Sequence, residues 1–195
     1  MPCIALVLFD GFEILDAFGP LEIFLKAGYE VIIVAPTAGV VKGGASSSRD
    51  SSTSCVPIVA STSLADAAFV SWDILLLPGG HGTRSLCDDK SFLDKLSLLC
   101  GASKVVASVC TGSALLAAAG VLDGREATSN KQAWAWIVTL QGVDRPVRWV
   151  QKARWVTDRT DGKLIVTSSG VAAGMDLAVW LGELGRGAKA RQRAI

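Results

Sequence analysis

The most restrictive feature of this chain is a set of short runs that are apolar almost without interruption. They are "IALVLF" (4–9), "YEVIIVAP" (29–36), "ILLLP" (74–78), "KVVASV" (104–109) and "KLIVTS" (163–168). A strand with one face in water alternates apolar and polar residues, whereas a strand buried on both faces does not, so these runs read as central strands of a parallel sheet. Segments of helical period lie between them, over 13–27, 88–100, 111–120, 131–141 and 171–184. The alternation predicts βαβ units, and hence an α/β domain: a mostly parallel sheet covered by helices on both faces. With 195 residues, 50% of them hydrophobic, the chain can fill one such core but not two comfortable ones.

Two stretches depart from that rhythm. In "VRWVQKARWVTDRTDGKLIV" (147–166) the apolar residues roughly alternate and Asp161-Gly162 supplies a turn, which predicts an antiparallel ribbon leading into the last strand. "TAGVVKGGASSSRDSSTSC" (37–55) is rich in Gly and Ser and reads as a long loop. Residues 1–185 are expected to form a single domain. The basic cluster Arg186, Lys189, Arg191 and Arg193 then belongs to a solvated C-terminal tail, 186–195.

Composition narrows the partners. A formal charge of +1 offers no electrostatic case for nucleic acid, and no helix-turn-helix pair is expected after "AVWLGELGR". No apolar run reaches the roughly 20 residues of a membrane span. The opening "MPCIALVLFDGFEI" lacks the basic region and cleavage site of a signal peptide. Cysteines 3, 55, 87, 100 and 110 are odd in number and form no CxxC, which argues against a disulfide framework or a metal site and favours a reducing, cytoplasmic setting. No cofactor is expected.

The chemistry is expected at "ASVCTGSALLAAAG" (107–120). Ser108-Val109-Cys110-Thr111-Gly112 reads small–any–nucleophile–any–small, the requirement of a sharp strand-to-helix turn that holds one reactive side chain out of the fold. At a helix N-terminus, unpaired N–H groups and the helix dipole favour a thiolate, so the pKa of Cys110 is expected below its free value of about 8.5. The competing reading is a buried cysteine in a helix cap. A glycine turn, "LLLPGGHGT" (75–83), follows the neighbouring strand and reaches the same sheet edge, where ligands of open α/β sheets collect. The N–H groups of Gly79, Gly80 and His81, with that of Thr111, either form an oxyanion hole or belong to an ordinary turn. Asp16 in "DGFEILDAFGPLEIF" (10–24) lies among apolar residues and is either a solvated helix residue or a carboxyl buried beside the thiol with a raised pKa. Pro20 in the same stretch is expected to kink or restart the helix. His81 is the one histidine, so a Cys–His–Asp triad has no other imidazole to use, and its backbone is an equally good reason for its place in the turn.

These stretches together resemble the ThiJ/PfpI superfamily, relatives of the class I glutamine amidotransferases. The likeness runs through "LFDGFEILDAFGPLEIF", "SLADA", "DILLLPGGHGT", "VASVCTGSALLAAAGVLDGREAT" and "TDGKLIVTSSGVAAGMDLAVWLGEL". The resemblance implies a flavodoxin-like three-layer sandwich, a small-molecule electrophile as substrate and a homodimer. Within the superfamily the chain is most similar to the isocyanide hydratase branch, through Leu15-Asp16 and Gly19-Pro20 in the pattern LDxxGP and Thr111 directly after the nucleophile. The implied reaction adds the Cys110 thiolate to an isocyanide carbon, and water then releases an N-substituted formamide. Asp16 would handle protons, Thr111 would supply a hydrogen bond beside the sulfur, and Gly19 would border the substrate. Many relatives carry His in "ATTH" after the elbow helix, whereas this chain reads "ATSN" and ends on Asn130. That weakens imidazole-dependent chemistry and places Asn130 at the substrate. In "NKQAWAWI" (130–137), Trp134 and Trp136 are candidates for the pocket wall or for core packing. The competing functions are glyoxalase or deglycase activity on small aldehydes, and a non-catalytic redox sensor in which Cys110 is oxidised.

Overall fold

A computed structural model describes residues 1–44, 55–140 and 145–192, with residues 186–192 described as backbone only. In chain order the strands are β1 (Cys3–Val7), β2 (Glu30–Ala35), β3 (Gly39–Gly43), β4 (Val56–Ala60), β5 (Thr62–Ser63), β6 (Trp72–Leu77), β7 (Ser103–Val109), β8 (Glu126–Ala127), β9 (Arg148–Trp149), β10 (Trp155–Asp158) and β11 (Leu164–Ser168). The helices are α1 (Ile14–Lys26), α2 (Leu64–Ala67), α3 (Thr83–Leu86), α4 (Lys90–Ala102), α5 (Gly112–Ala118), α6 (Trp134–Ile137) and α7 (Val171–Gln192).

Seven strands form the central sheet in the order β10-β11-β7-β6-β1-β2-β5. Every neighbouring pair is parallel except β10 against β11, where Trp155 faces Ser168 and Asp158 faces Ile165. The apolar runs fill its middle: residues of β1, β6, β7 and β11 such as Leu6, Leu75, Val106 and Val166 are fully or almost fully buried. α1 packs on α7, α4 packs on α2 and α5, and helices cover both faces. Because β1, β6, β7 and β11 run in one direction, their carboxyl ends bring residues 8–13, 78–82, 109–111 and 169–170 to one edge. No helix among the described residues is long and apolar enough to cross a membrane.

Four expectations need correction. The stretch 37–55 is not loop throughout: β3 and β4 pair antiparallel from Gly39 with Ala60 to Gly43 with Val56. Of that stretch, residues 45–54 lie outside those described. The helix expected over 131–141 shrinks to Trp134–Ile137. Asn130 Oδ1 accepts hydrogen bonds from the N–H groups of Gln132 (2.9 Å) and Ala133 (3.1 Å), so a side-chain turn replaces the first helical turn. The ribbon over 147–166 forms at β10 and β11, but Arg148–Trp149 pairs instead with β8, in parallel. Finally, α1 runs unbroken from Ile14 to Lys26 with Pro20 inside. In the stretch expected as a solvated tail, α7 carries helical backbone as far as Gln192.

Candidate active site

Cys110 stands between β7 and α5 with φ at +57°, a left-handed conformation that a residue with a Cβ adopts only where its surroundings enforce it. Here they do. Its N–H donates to Ser168 O (3.0 Å), and its carbonyl accepts from the hydroxyls of Ser113 (3.1 Å) and Ser129 (3.0 Å). A Cβ at Gly112 would come within 2.5 Å of Leu77 O, so the small residue after the elbow lets α5 start hard against the end of β6. The strand–elbow–helix reading therefore holds, with the side chain of Cys110 9% exposed on the floor of a cavity of about 550 Å³.

Asp16, in the first turn of α1, is wholly buried, which decides against the solvated alternative. Its Oδ2 accepts from Gly79 N–H (3.0 Å), while Oδ1 is sealed from solvent without an oxygen or nitrogen partner. The Cys110 thiol lies close enough that each group shifts the other's proton affinity. Only a glycine at 79 permits this convergence: a Cβ there would lie 2.6 Å from Thr111 N and 2.9 Å from Asp16 Oδ2. Burial pushes the Asp16 carboxyl up to about 7; the Gly79 N–H opposes the rise and the nearby Glu13 charge adds to it.

The thiol departs from expectation. Burial, and then the Asp16 charge, push Cys110 up to about 12. The Thr111 N–H and the Asn130 amide, whose Nδ2 donates to Sγ at 3.1 Å, pull the other way without prevailing. The helix that was to favour the thiolate, α5, has seven residues, and a dipole that short does not offset burial beside a carboxylate. Cys110 and Asp16 thus compete for protons as a pair. A carboxyl raised to about 7 keeps its proton through much of the neutral range, and in that state its charge no longer opposes ionisation of the sulfur.

The oxyanion hole drawn from the glycine turn does not form as expected. The Gly79 N–H is taken by Asp16, and the Gly80 N–H donates to Thr111 Oγ1 (3.0 Å). Thr111 serves the sulfur through its backbone, while its hydroxyl is tied to Gly80 and to Thr83 Oγ1 (3.2 Å). His81 lines the cavity with an exposed side chain, and no hydrogen bond joins it to Cys110 among the described residues. Gly19 does not border the cavity: a Cβ there would meet Met175 Cγ at 2.8 Å, so it is where α1 crosses α7. Trp134 is also off the wall, set edge-on to Trp149 with ring centroids 6.1 Å apart. Asn130 does reach the site, but its amide is spent on the sulfur.

Three charged lining residues had no role in the sequence reading: Glu13, Arg84 and Lys131. Arg84, one residue into α3, lies over the Trp136 ring at 4.3 Å, and Lys131 Nζ sits 5.1 Å from the Trp134 ring. The one available signal was their adjacency to motif residues, Arg84 to the glycine turn and Lys131 to Asn130.

A family model described as the DJ-1/PfpI family matches residues 3–183, which takes in the elbow, the acid and the glycine turn together. The chain belongs to the DJ-1/PfpI family. Isonitrile hydratase of Pseudomonas putida is 36% identical over 117 residues, covering 57% of this chain and 44% of that protein, so the likeness spans less than half of its length. Protein/nucleic acid deglycase 2 of Escherichia coli (strain K12) is 33% identical over 129 residues, 66% of this chain and 70% of that one. Drosophila melanogaster DJ-1beta shares the fold with a TM-score of 0.74 at 24% identity, covering 93% of this chain and 89% of that chain. DJ-1/PfpI proteins thus include hydratases and deglycases.

Proposed function

We propose that this chain is a cysteine-dependent hydratase converting an isocyanide to an N-substituted formamide. The observation that carries this reading is the sealed Asp16 carboxyl, raised to about 7 against the Cys110 thiol: a proton donor and acceptor that needs no imidazole. The reactive state, a thiolate beside a protonated Asp16, forms when the Cys110 thiol passes its proton to the Asp16 carboxylate, with the Thr111 N–H and Asn130 amide on the sulfur. Thiolate attack forms a C–S bond to the terminal carbon of the isocyanide, and Asp16 gives that carbon its proton, leaving a thioimidate and a carboxylate. Water adds to the C=N carbon as Asp16 takes one of its protons and passes it to nitrogen. Collapse returns the hydroxyl proton to Asp16, forms the formamide C=O and expels the thiolate, so both groups end as they began.

The test is turnover of an aryl isocyanide and of methylglyoxal by the wild type and by Cys110→Ala, Asp16→Asn and His81→Ala. Formamide production lost in the first two variants and retained in His81→Ala supports the hydratase. Lactate formation that depends on His81 replaces it with a glyoxalase. No turnover of either compound, with ready oxidation of Cys110 by peroxide, replaces it with a redox sensor.

A further inference from the structure

Both cations on the cavity wall are held against the tryptophans of α6: Arg84 over Trp136 and Lys131 beside Trp134. Neither has a carboxylate within 4 Å among the described residues, and unlike the other cations without one, both line the cavity that holds Cys110. Lys131 places two of its three donors, on Thr128 Oγ1 (2.7 Å) and Ser129 O (3.0 Å), and partial burial lowers its pKa. The one acid on the wall, Glu13, precedes α1 and acts on Asp16, at the other end of the reacting pair. A lone cation on a surface needs no explanation. Two unpaired cations on one wall of a cavity floored by the nucleophile ask for an anion.

We infer that the cavity takes an electrophile bearing a carboxylate, which Arg84 and Lys131 bind while its reactive carbon faces Cys110. This rests on Cys110 being the nucleophile, as proposed above, and adds the substrate's class. The guanidinium carbon lies 4.3 Å from the centre of the Trp136 ring, and a guanidinium over an indole keeps N–H donors for a carboxylate's two oxygens. An isocyanoacetate is the simplest member of that class, and its methyl ester is the neutral counterpart.

The test uses iodoacetate and iodoacetamide, which share a reacting carbon and differ in charge. Each alkylates the whole protein at pH 8, and site-resolved mass spectrometry follows Cys110 and the exposed Cys55 as internal reference. The expected iodoacetate-to-iodoacetamide rate ratio at Cys110 is at least about tenfold that at Cys55, which corresponds to about 1.4 kcal/mol of discrimination. It should fall to the Cys55 value in the Arg84→Gln, Lys131→Gln double variant, and Arg84→Lys should restore part of what Arg84→Gln removes. An equal ratio at the two cysteines, a ratio unmoved by the double variant, or failure of both reagents to reach Cys110 overturns the inference. Because alkylation needs no turnover, the ratio can stand where formamide production fails, and the reverse.

Discussion

Replacing Asp16 by asparagine should stabilise the protein, and by an amount that depends on pH. In the folded state burial raises the carboxyl from 3.8 to about 7. Between those values the folded protein holds a proton that the unfolded chain has released, so stability falls as pH rises and levels off above about 7. At about 1.36 kcal/mol per pH unit the full loss is about 4 kcal/mol. The Asp16→Asn side chain keeps an oxygen for the Gly79 N–H and carries no charge, so the variant escapes this loss. Its unfolding free energy, taken relative to wild type, should therefore grow by about 4 kcal/mol from pH 4 to pH 8. Urea unfolding at pH 4, 5, 6, 7 and 8 measures it. Asp158, held near 2, and the raised Cys110 both titrate outside that window and leave it clean. A difference that stays flat across pH, or an Asp16→Asn protein less stable at pH 8 than at pH 5 relative to wild type, would refute a buried, proton-holding Asp16 and with it the proposed donor.

Asn130→Ala removes the amide from Sγ; a hydrogen bond to a charged group is worth about 1.5–3 kcal/mol, so kcat for isocyanide turnover should drop about 10- to 100-fold. Asn130→Asp, which retains the side-chain turn but sets a second charge by the sulfur, should drop further in the same assay. Arg125 pairs with Asp158 in near-complete burial (3.0 Å), so Arg125→Met should lower unfolding free energy by about 3 kcal/mol at pH 7. Burial would raise Asp158, but the N–H groups of Glu126 and Thr160 and then Arg125 hold it at about 2; the wild-type advantage should therefore shrink as a denaturation series descends from pH 4 toward pH 2. Gly80→Ala puts a Cβ 2.3 Å from Gly11 O at a φ of +130°, where only backbone could give way, so a loss of about 3 kcal/mol or failure to fold is expected in thermal unfolding.

The parallel sheet was legible because strands buried on both faces leave an uninterrupted apolar run, and β1, β2, β6, β7 and β11 all lie within a few residues of where those runs place them. β3 was hidden by its glycines: burial alternates along Gly39–Gly43, with Val41 and Gly43 in and Val40 and Lys42 out, but a glycine at a buried position shows no apolar side chain in the sequence. β8 and β9, two residues each, carry no periodicity at all. At the site, the elbow could be read because its demands are local, a small residue at 112 and a tight turn at 110. The thiol's proton affinity could not, since it depends on an acid from the far end of the chain and on how completely both are buried. Trp134 and Trp136 were legible as aromatic residues near the cavity, but Trp149 and Arg84, which claim their faces, come from segments that only the tertiary fold brings near.

The crossing of α1 over α7 at Gly19 and Met175 gives the chain a remote adjustment on its own chemistry. Asp16 sits one turn earlier on the same helix, so bulk at that crossing to which the Met175 side chain does not yield would shift the helix and slide the acid relative to the sulfur. A substitution at this crossing, outside the cavity lining, can therefore detune proton transfer while leaving the cavity wall untouched. A comparison of related chains that tracked only the residues around the cavity would miss such a change.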